Sequence, residues 1–395
     1  MTSEPPGVRL LQLATAASAF DRFVVAALLG SIATDFDVGL EAVAGVAGWY
    51  FLCYGVSQPA WGRLSDLLGR ATTMRLALAL AAAGGVASAL APTLAVLVTV
   101  RAVTGACMAA VVPAALVYVG DVVPVARRQR TLTDINSVTA AGMTAATVVG
   151  GVVAGLTSWR AAFLLPALPA AALVVALRRL PAPPTPPARP GGMLSVLRDS
   201  GARTVLCLAL LEGAVLLGLL SYFAPALESR GTPVGLAGAV VSGYGLGLLL
   251  GSRVVRRVAR GSSLGALLAS GSLGLAVAYA AVSLSQTPWV VGAAALLVGG
   301  GWAALHSTMQ AWTTEVLPHS RGAMMALFAN ALFVGGGIGT AVLAPLAGGL
   351  HWQPLFLTGA GGALLFGVSS VAMQRRQGSP PGSWPSRGPA ARASR

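Results

Sequence analysis

Four charged residues stand inside otherwise apolar stretches: Asp21, Arg22, Arg101 and Glu212. An ionised side chain at mid-bilayer depth costs at least about 2.5 kcal/mol unless it is protonated, paired or wetted. Residues kept at that cost point to work. A carboxylate there can take up and release a proton, or meet a cationic solute. Arginine stays charged, so Arg22 and Arg101 each need water or an acidic partner, and Asp21 can serve either. Neighbours on a helix differ by about 100° in direction, so Asp21 and Arg22 cannot both point into one narrow cavity. Asp21 is assigned to proton coupling, and Glu212 to binding or a second proton. The amides Asn136 and Asn330 either bond a solute or join helices. His306 lies about 27 Å along its helix from Pro288 and is expected at the interface, outside any relay. Trp49, Tyr50, Tyr54, Tyr222, Phe223, Tyr244 and Trp302 either line a cavity for lipophilic solutes or serve as packing.

The elements that must hold these residues are membrane helices. Of 395 residues, 55% are hydrophobic and 10% charged, and mean hydropathy is +0.77. Soluble chains carry roughly 25% charged residues. A span needs about 20 apolar residues. Such stretches predict twelve helices, at 10–34, 43–61, 73–91, 94–119, 136–156, 161–177, 204–226, 235–255, 263–284, 289–313, 322–348 and 354–373. The fold class is therefore all-α integral membrane, with two six-helix bundles around a central cavity. Residues 1–177 form the first bundle and 204–374 the second. Between them, 178–203 reads as a Pro- and Arg-rich linker, and 375–395 as a basic, disordered tail.

All 26 basic residues are Arg, against 12 acidic ones. A net charge of +14 would suggest nucleic acid in a soluble protein, but here the arginines fall in alternate connectors. The even-numbered gaps and the termini carry almost all of them outside the spans, while the odd gaps hold only Arg160 and Arg230. The positive-inside rule then places both termini in the cytoplasm of a plasma or inner membrane.

The halves repeat weakly. Asp121-Val-Val-Pro-x-x-Arg127 returns as Glu315-Val-Leu-Pro-x-x-Arg321, and the same offset carries Asn136 onto Asn330. Parallel six-helix repeats place a solute site between the halves near the midplane.

No phosphate loop and no metal-ligand spacing occurs, so neither cofactor nor metal is expected. Cys53, Cys107 and Cys207 lie in apolar stretches and read as small buried hydrophobes. The start of the chain lacks the form of a signal peptide.

The stretch from Gly62 through Leu64, Asp66, Gly69 and Arg70 resembles the signature of the major facilitator superfamily after its second helix, with Ala71 replacing the final basic residue. Arg101-Ala-Val-Thr-Gly105 and Trp159-Arg160-Ala-Ala-Phe163 are similar to further elements of that family. The stretch Gly142-Met-Thr-Ala-Ala-Thr-Val-Val-Gly150-Gly151 aligns with the helix-5 motif of its antiporters, but Ala146-Thr147 replaces Gly-Pro, so the bend is lost. The resemblance implies that Asp66 docks onto the eleventh helix to shut a cytoplasmic gate, with Arg70, Asp121, Arg127, Glu315 and Arg321 around it. It also implies that Arg101 acts beside the first helix in proton coupling.

The expectation is a non-enzymatic secondary transporter. It would drive efflux of small amphipathic molecules by proton antiport and alternating access, as a monomer whose partners are solute, protons and lipid. The alternative is a symporter importing a small organic anion. A scramblase or membrane enzyme would need a polar lipid-facing groove, a nucleophile or a metal set, and none is evident. Net acid in the cavity favours cation export; net Arg favours anions.

Overall fold

A computed structural model describes residues 6–181, 193–258, 261–317 and 320–376. Among the described residues there is no strand, and twelve helices are long and apolar enough to cross a membrane. They are α1 (Gly7–Ala27), α2 (Leu40–Leu68), α3 (Arg70–Ala89), α4 (Leu94–Val122), α5 (Ala126–Leu156) and α6 (Trp159–Arg179). The second set is α7 (Ser200–Glu228), α8 (Val234–Val258), α9 (Leu264–Leu284), α10 (Pro288–Val316), α11 (Arg321–Gly348) and α12 (Trp352–Arg375). Short polar residues start several of them. Thr93, Ser158, Asp199 and Ser263 each accept a backbone N–H three residues on, capping α4, α6, α7 and α9.

The helices outrun the predicted spans at the end of the bundle that carries the termini. α5 begins ten residues before the expected 136, and α2 runs on past 61 to Leu68. An apolar window marks the part that needs lipid, whereas Arg, Gln and Leu continue a helix beyond it at little cost. The stretch 62–68 is therefore helical and not a connector. The turn itself is Gly69, whose φ of +82° suits a residue without Cβ. The expected linker contains a short helix, Met193–Arg198, while 182–192, including Arg189, lie outside the described residues. The expected tail begins inside α12, and 377–395 lie outside the described residues.

Within the first half α1 packs on α5, α2 on α4 and α3 on α6; in the second, α7 packs on α11, α8 on α10 and α9 on α12. The halves meet along α2–α11 and α5–α8. Small residues make the approach possible. A Cβ on Gly337 would lie 2.8 Å from the Gly48 carbonyl, and one on Gly151 would lie 3.3 Å from the Gly238 Cα. On the first seam contacts run from Glu41–Gly348 through Gly48–Gly337 to Gly55–Asn330. About two turns further on, Gly62 and Gly322 face open space. The halves are thus closed at the end remote from the termini and parted at the termini end. At the closed end Arg160 pairs with Asp35 at 2.5 Å. Its guanidinium holds the exposed Asp35 carboxyl below the usual range. That small stabilisation is present above the ordinary aspartate range and is lost as pH falls through the lowered value.

Gly337→Val should wedge the closed seam. In a variant lacking the three native cysteines, a cysteine at Phe51 (4% exposed) should then label faster with a water-soluble maleimide. Unchanged labelling would show that the seam tolerates the side chain.

Candidate functional site

The centre of the molecule is built where three helices lose regularity. α1 tightens to a 3-10 turn at Val25–Ala27, just beyond Asp21 and Arg22. α4 breaks between Met108 and Val111, one turn and more beyond Arg101. α7 carries a π-helical segment, Ala214–Gly218, immediately after Glu212. Such segments redirect side chains and often accompany function.

Asp21 points into its own half. Its Oδ1 accepts from Arg101 Nη1 at 2.8 Å, and its Oδ2 accepts from Tyr50 Oη at 2.8 Å and Arg101 Nη2 at 3.2 Å. Arg101 Nη2 also reaches the Asp21 carbonyl at 2.8 Å. The guanidinium lies against Tyr50 and Phe163, 4.6 and 4.9 Å from their centroids. Asp21 is 1% exposed and Arg101 0%, so each charge is answered only by the other and by these donors and rings. Of the two arginines that could answer Asp21, Arg101 on α4 is the one that does. Tyr50, read from sequence only as a possible cavity wall, completes the pairing.

Glu212 is also sealed, at 1%. Its Oε1 lies 2.9 Å from His306 Nδ1, and Gln310 lies 3.0 Å from the other ring nitrogen. Glu212 Oε2 is buried without a partner. His306, expected at the interface, instead stands beside Glu212, well inside the length of both α7 and α10. The helix it sits on, α10, extends ten residues beyond it, so distance from Pro288 did not measure distance to water. The His306 side chain keeps 25% exposure while Glu212 has none, so Glu212, His306 and Gln310 form a short chain from a buried acid toward a more open position.

Arg22 turns the other way, into the seam between halves. Its Cζ lies 4.9 Å from the centroids of Tyr54 on α2 and Phe333 on α11, and 5.4 Å from Phe23. It is 7% exposed, and its Nε is buried without a partner. Among the described residues it makes no hydrogen bond and no ion pair. Cation–π contacts supply roughly 0.5–2 kcal/mol each, whereas an unpaired buried charge costs far more. Phe23, Tyr244 and Trp302 continue the aromatic layer, with centroids 5.9 and 6.2 Å apart in sequence.

The remaining candidates separate. Asp66 pairs with Arg70 at 2.5 Å, and Arg70 Nε lies 3.7 Å from Asp121 Oδ2, so this charged cluster closes within the first half. Asp66 does not dock on α11 in this conformation; the halves are parted there. Arg127 opens α5. In the second half Glu315 is exposed, and Arg321 donates to the Thr314 carbonyl instead of to an acid. Asn136 is exposed and Asn330 half-buried, and neither amide makes a side-chain hydrogen bond among the described residues. Gly142 and Gly150 face Ala16 and Val24 of α1, while Gly151 faces α8, so the helix-5 motif serves packing on two sides. Of the aromatics, Trp49 is 52% exposed on the outer surface, and Tyr222 and Phe223 pack inside the second half. A groove of about 610 Å³ between α1, α5 and α6 is lined only by apolar residues such as Leu13, Phe20 and Pro169. It lacks the polar track that would carry a lipid headgroup. Among the described residues no cluster of metal-binding side chains occurs.

Comparison with known proteins bears on this geometry. The sequence family described as Major Facilitator Superfamily matches residues 11–340. The chain is 32% identical over 155 residues to the efflux pump dotC of Dothistroma septosporum, covering 39% of this chain and 26% of that one. It is 30% identical over 176 residues to a triacylglyceride transporter of Mycolicibacterium hassiacum, with coverage of 44% and 33%. It is 31% identical over 158 residues to the multidrug resistance protein Stp of Mycobacterium tuberculosis, with coverage of 40% and 29%. The matches thus span about a quarter to a third of those relatives' length. Among solved structures, a D-xylose-proton symporter superposes with a TM-score of 0.77 at 16% identity, over 91% of this chain and 95% of that one. An inward-facing, occupied bacterial homologue of the lysosomal transporter Spinster gives 0.74 at 18%, over 95% and 98%. At these identities the structures establish the fold alone.

Proposed function

The chain belongs to the major facilitator superfamily, and from that premise we propose that it exports small amphipathic molecules across a cell's inner membrane in exchange for protons. That it is a multi-pass transporter and not an enzyme follows from the family. Export, proton exchange, alternating access and a monomeric working unit are our reading. The observation that carries it is the pair of sealed acids at the centre of two apolar halves. Asp21 is tied to Arg101 and Tyr50, and Glu212 to His306. Each lies beside a helix irregularity, where a change of state can alter its partners. A carboxylate that trades a basic partner for a proton once per cycle couples proton movement to rocking of the halves. The names of the efflux-pump and multidrug-resistance relatives support the direction.

The arginine distribution supports cytoplasmic termini. On that reading the parted end faces the cytoplasm and the conformation is inward-facing. Reporter fusions after Arg63 and at the C-terminus should report inside, and one after Glu228 outside. A C-terminal reporter on the far side would reverse the assignment.

Proteoliposomes loaded with an amphipathic fluorophore test the export reading. With the protein oriented as in the cell, an acidic exterior should speed release, and a protonophore should remove the effect. Acid-driven uptake would establish the alternative, proton-coupled import of an organic anion, which the unanswered charge of Arg22 favours. Release indifferent to the gradient would end both.

A further inference from the structure

The geometry points to Arg22 and Tyr244 as the seat of an anionic group, so that the molecules carried are amphipathic acids bearing a carboxylate, sulfonate or phosphate. This rests on the reading of the protein as a transporter of amphipathic molecules and specifies their charge. The two acids of the core are engaged, Asp21 by Arg101 and Tyr50, and Glu212 by His306. The guanidinium of Arg22 is not. It makes no hydrogen bond and no ion pair among the described residues, with only 7% of the residue exposed. Glu212 Oε2 also lacks a partner, but that carboxyl keeps the His306 contact through Oε1, whereas the Arg22 guanidinium has no hydrogen-bonded partner at all among the described residues.

A second orphaned donor stands nearby. Tyr244 Oη is buried without a partner. Its ring stacks on Phe23 at 5.9 Å, and the Arg22 guanidinium lies over that same Phe23 ring, 5.4 Å from its centroid. A guanidinium and a phenol each offer N–H or O–H groups, and an anion can accept from both. Hydrogen bonds from an ionised donor to an ionised acceptor are about twice as strong as neutral ones. The walls suit the rest of such a molecule. Tyr54, Phe333, Phe23 and Trp302 present ring faces from both halves. The guanidinium touches α2 through Tyr54 and α11 through Phe333, so its surroundings change whenever the halves rock. In the present state the space beside it, against Phe51, Leu217 and Ser221, amounts to about 10 Å³, room for a water at most. That space adjoins Arg22 without reaching Tyr244, so an anion held by both requires the seam to loosen.

One apolar body with three head groups tests the inference: 4-(1-pyrenyl)butyrate, its methyl ester, and 4-(1-pyrenyl)butylamine. Binding to the full chain in detergent is followed by quenching of tryptophan fluorescence. The carboxylate should bind at least about tenfold tighter than ester or amine, the range a single charge-assisted contact provides. Arg22→Gln should erase that preference while leaving the ester's affinity unchanged. Tyr244→Phe, which removes one oxygen and keeps the ring, should reduce the preference severalfold. The head-group preference is read on the wild-type protein, so it stands even if a variant folds poorly. Equal binding of all three probes, tightest binding of the amine, or no saturable binding would overturn the inference. Retention of the preference in a folded Arg22→Gln protein would do the same. A carboxylate preference without proton-driven release would leave this site standing and sink the exporter. Proton-driven release of the amine without a carboxylate preference would do the reverse.

Discussion

Replacing Arg101 by glutamine is expected to cost about 3–5 kcal/mol of stability and to abolish transport driven by a pH gradient. The cost is that of stranding one member of a buried pair. Asp21 would keep only the Tyr50 hydroxyl in a site where it is 1% exposed. Asp21→Asn strands the opposite charge and should be nearly as costly. The double variant carries no buried charge in this place, so it should recover much of the loss. A double-mutant cycle of unfolding in detergent measures this. If the two single effects sum to the double effect within about 0.5 kcal/mol, the residues do not act as a pair. The functional arm uses the same proteins. If Asp21 carries the coupling, the double variant remains unable to use a pH gradient although its fold is restored, and Asp21→Asn still binds solute. Wild-type gradient-driven transport by the double variant would reduce the pair to scaffolding.

Glu212→Gln is expected to flatten the dependence of transport on pH while leaving stability within about 1 kcal/mol, the scale of one exchanged hydrogen bond. The amide fills the same space and can still meet His306, but it cannot accept a proton. Glu212 lies at the closed end of the chain through His306 and Gln310. His306→Gln should therefore flatten the profile too, and Gln310→Ala should alter it less. The measurement is the transport rate against pH at fixed membrane potential, beside solute affinity. An affinity loss with an intact pH profile would show that Glu212 holds solute and not a proton. An unchanged profile and affinity in both variants would remove this chain from the mechanism.

The closed and parted ends give these results a common frame. Asp21 binds inward to its own half, Glu212 binds α10 within its own second half, and Arg22 lies on the seam between the halves. Rocking the halves need not break the first two contacts directly. It does alter the seam, and the 3-10 turn of α1 and the π segment of α7 are the places where that change can reach the acids.

Twelve membrane helices, the six-plus-six repeat and the four buried charges follow from sequence alone. The reason is that lipid imposes a one-dimensional rule. A span must be apolar for its whole length, so each interruption is visible without knowing any neighbour. The family motif was legible for a related reason, since Gly69 must adopt positive φ and Arg70 must reach Asp66 four residues back, both local demands. That either Asp21 or Arg22 must turn away from the cavity also followed from the 100° step of the helix. Which one turned, and toward what, did not. Arg101 is 80 residues from Asp21 and His306 is 94 from Glu212, and nothing periodic links such distances. His306 was misplaced because a helix can outrun the hydrocarbon, and only packing shows where along it a side chain is buried. The same limit hid the isolation of Arg22. A charge is unanswered only relative to every group around it, and those groups come from α2 and α11, brought to it by folding.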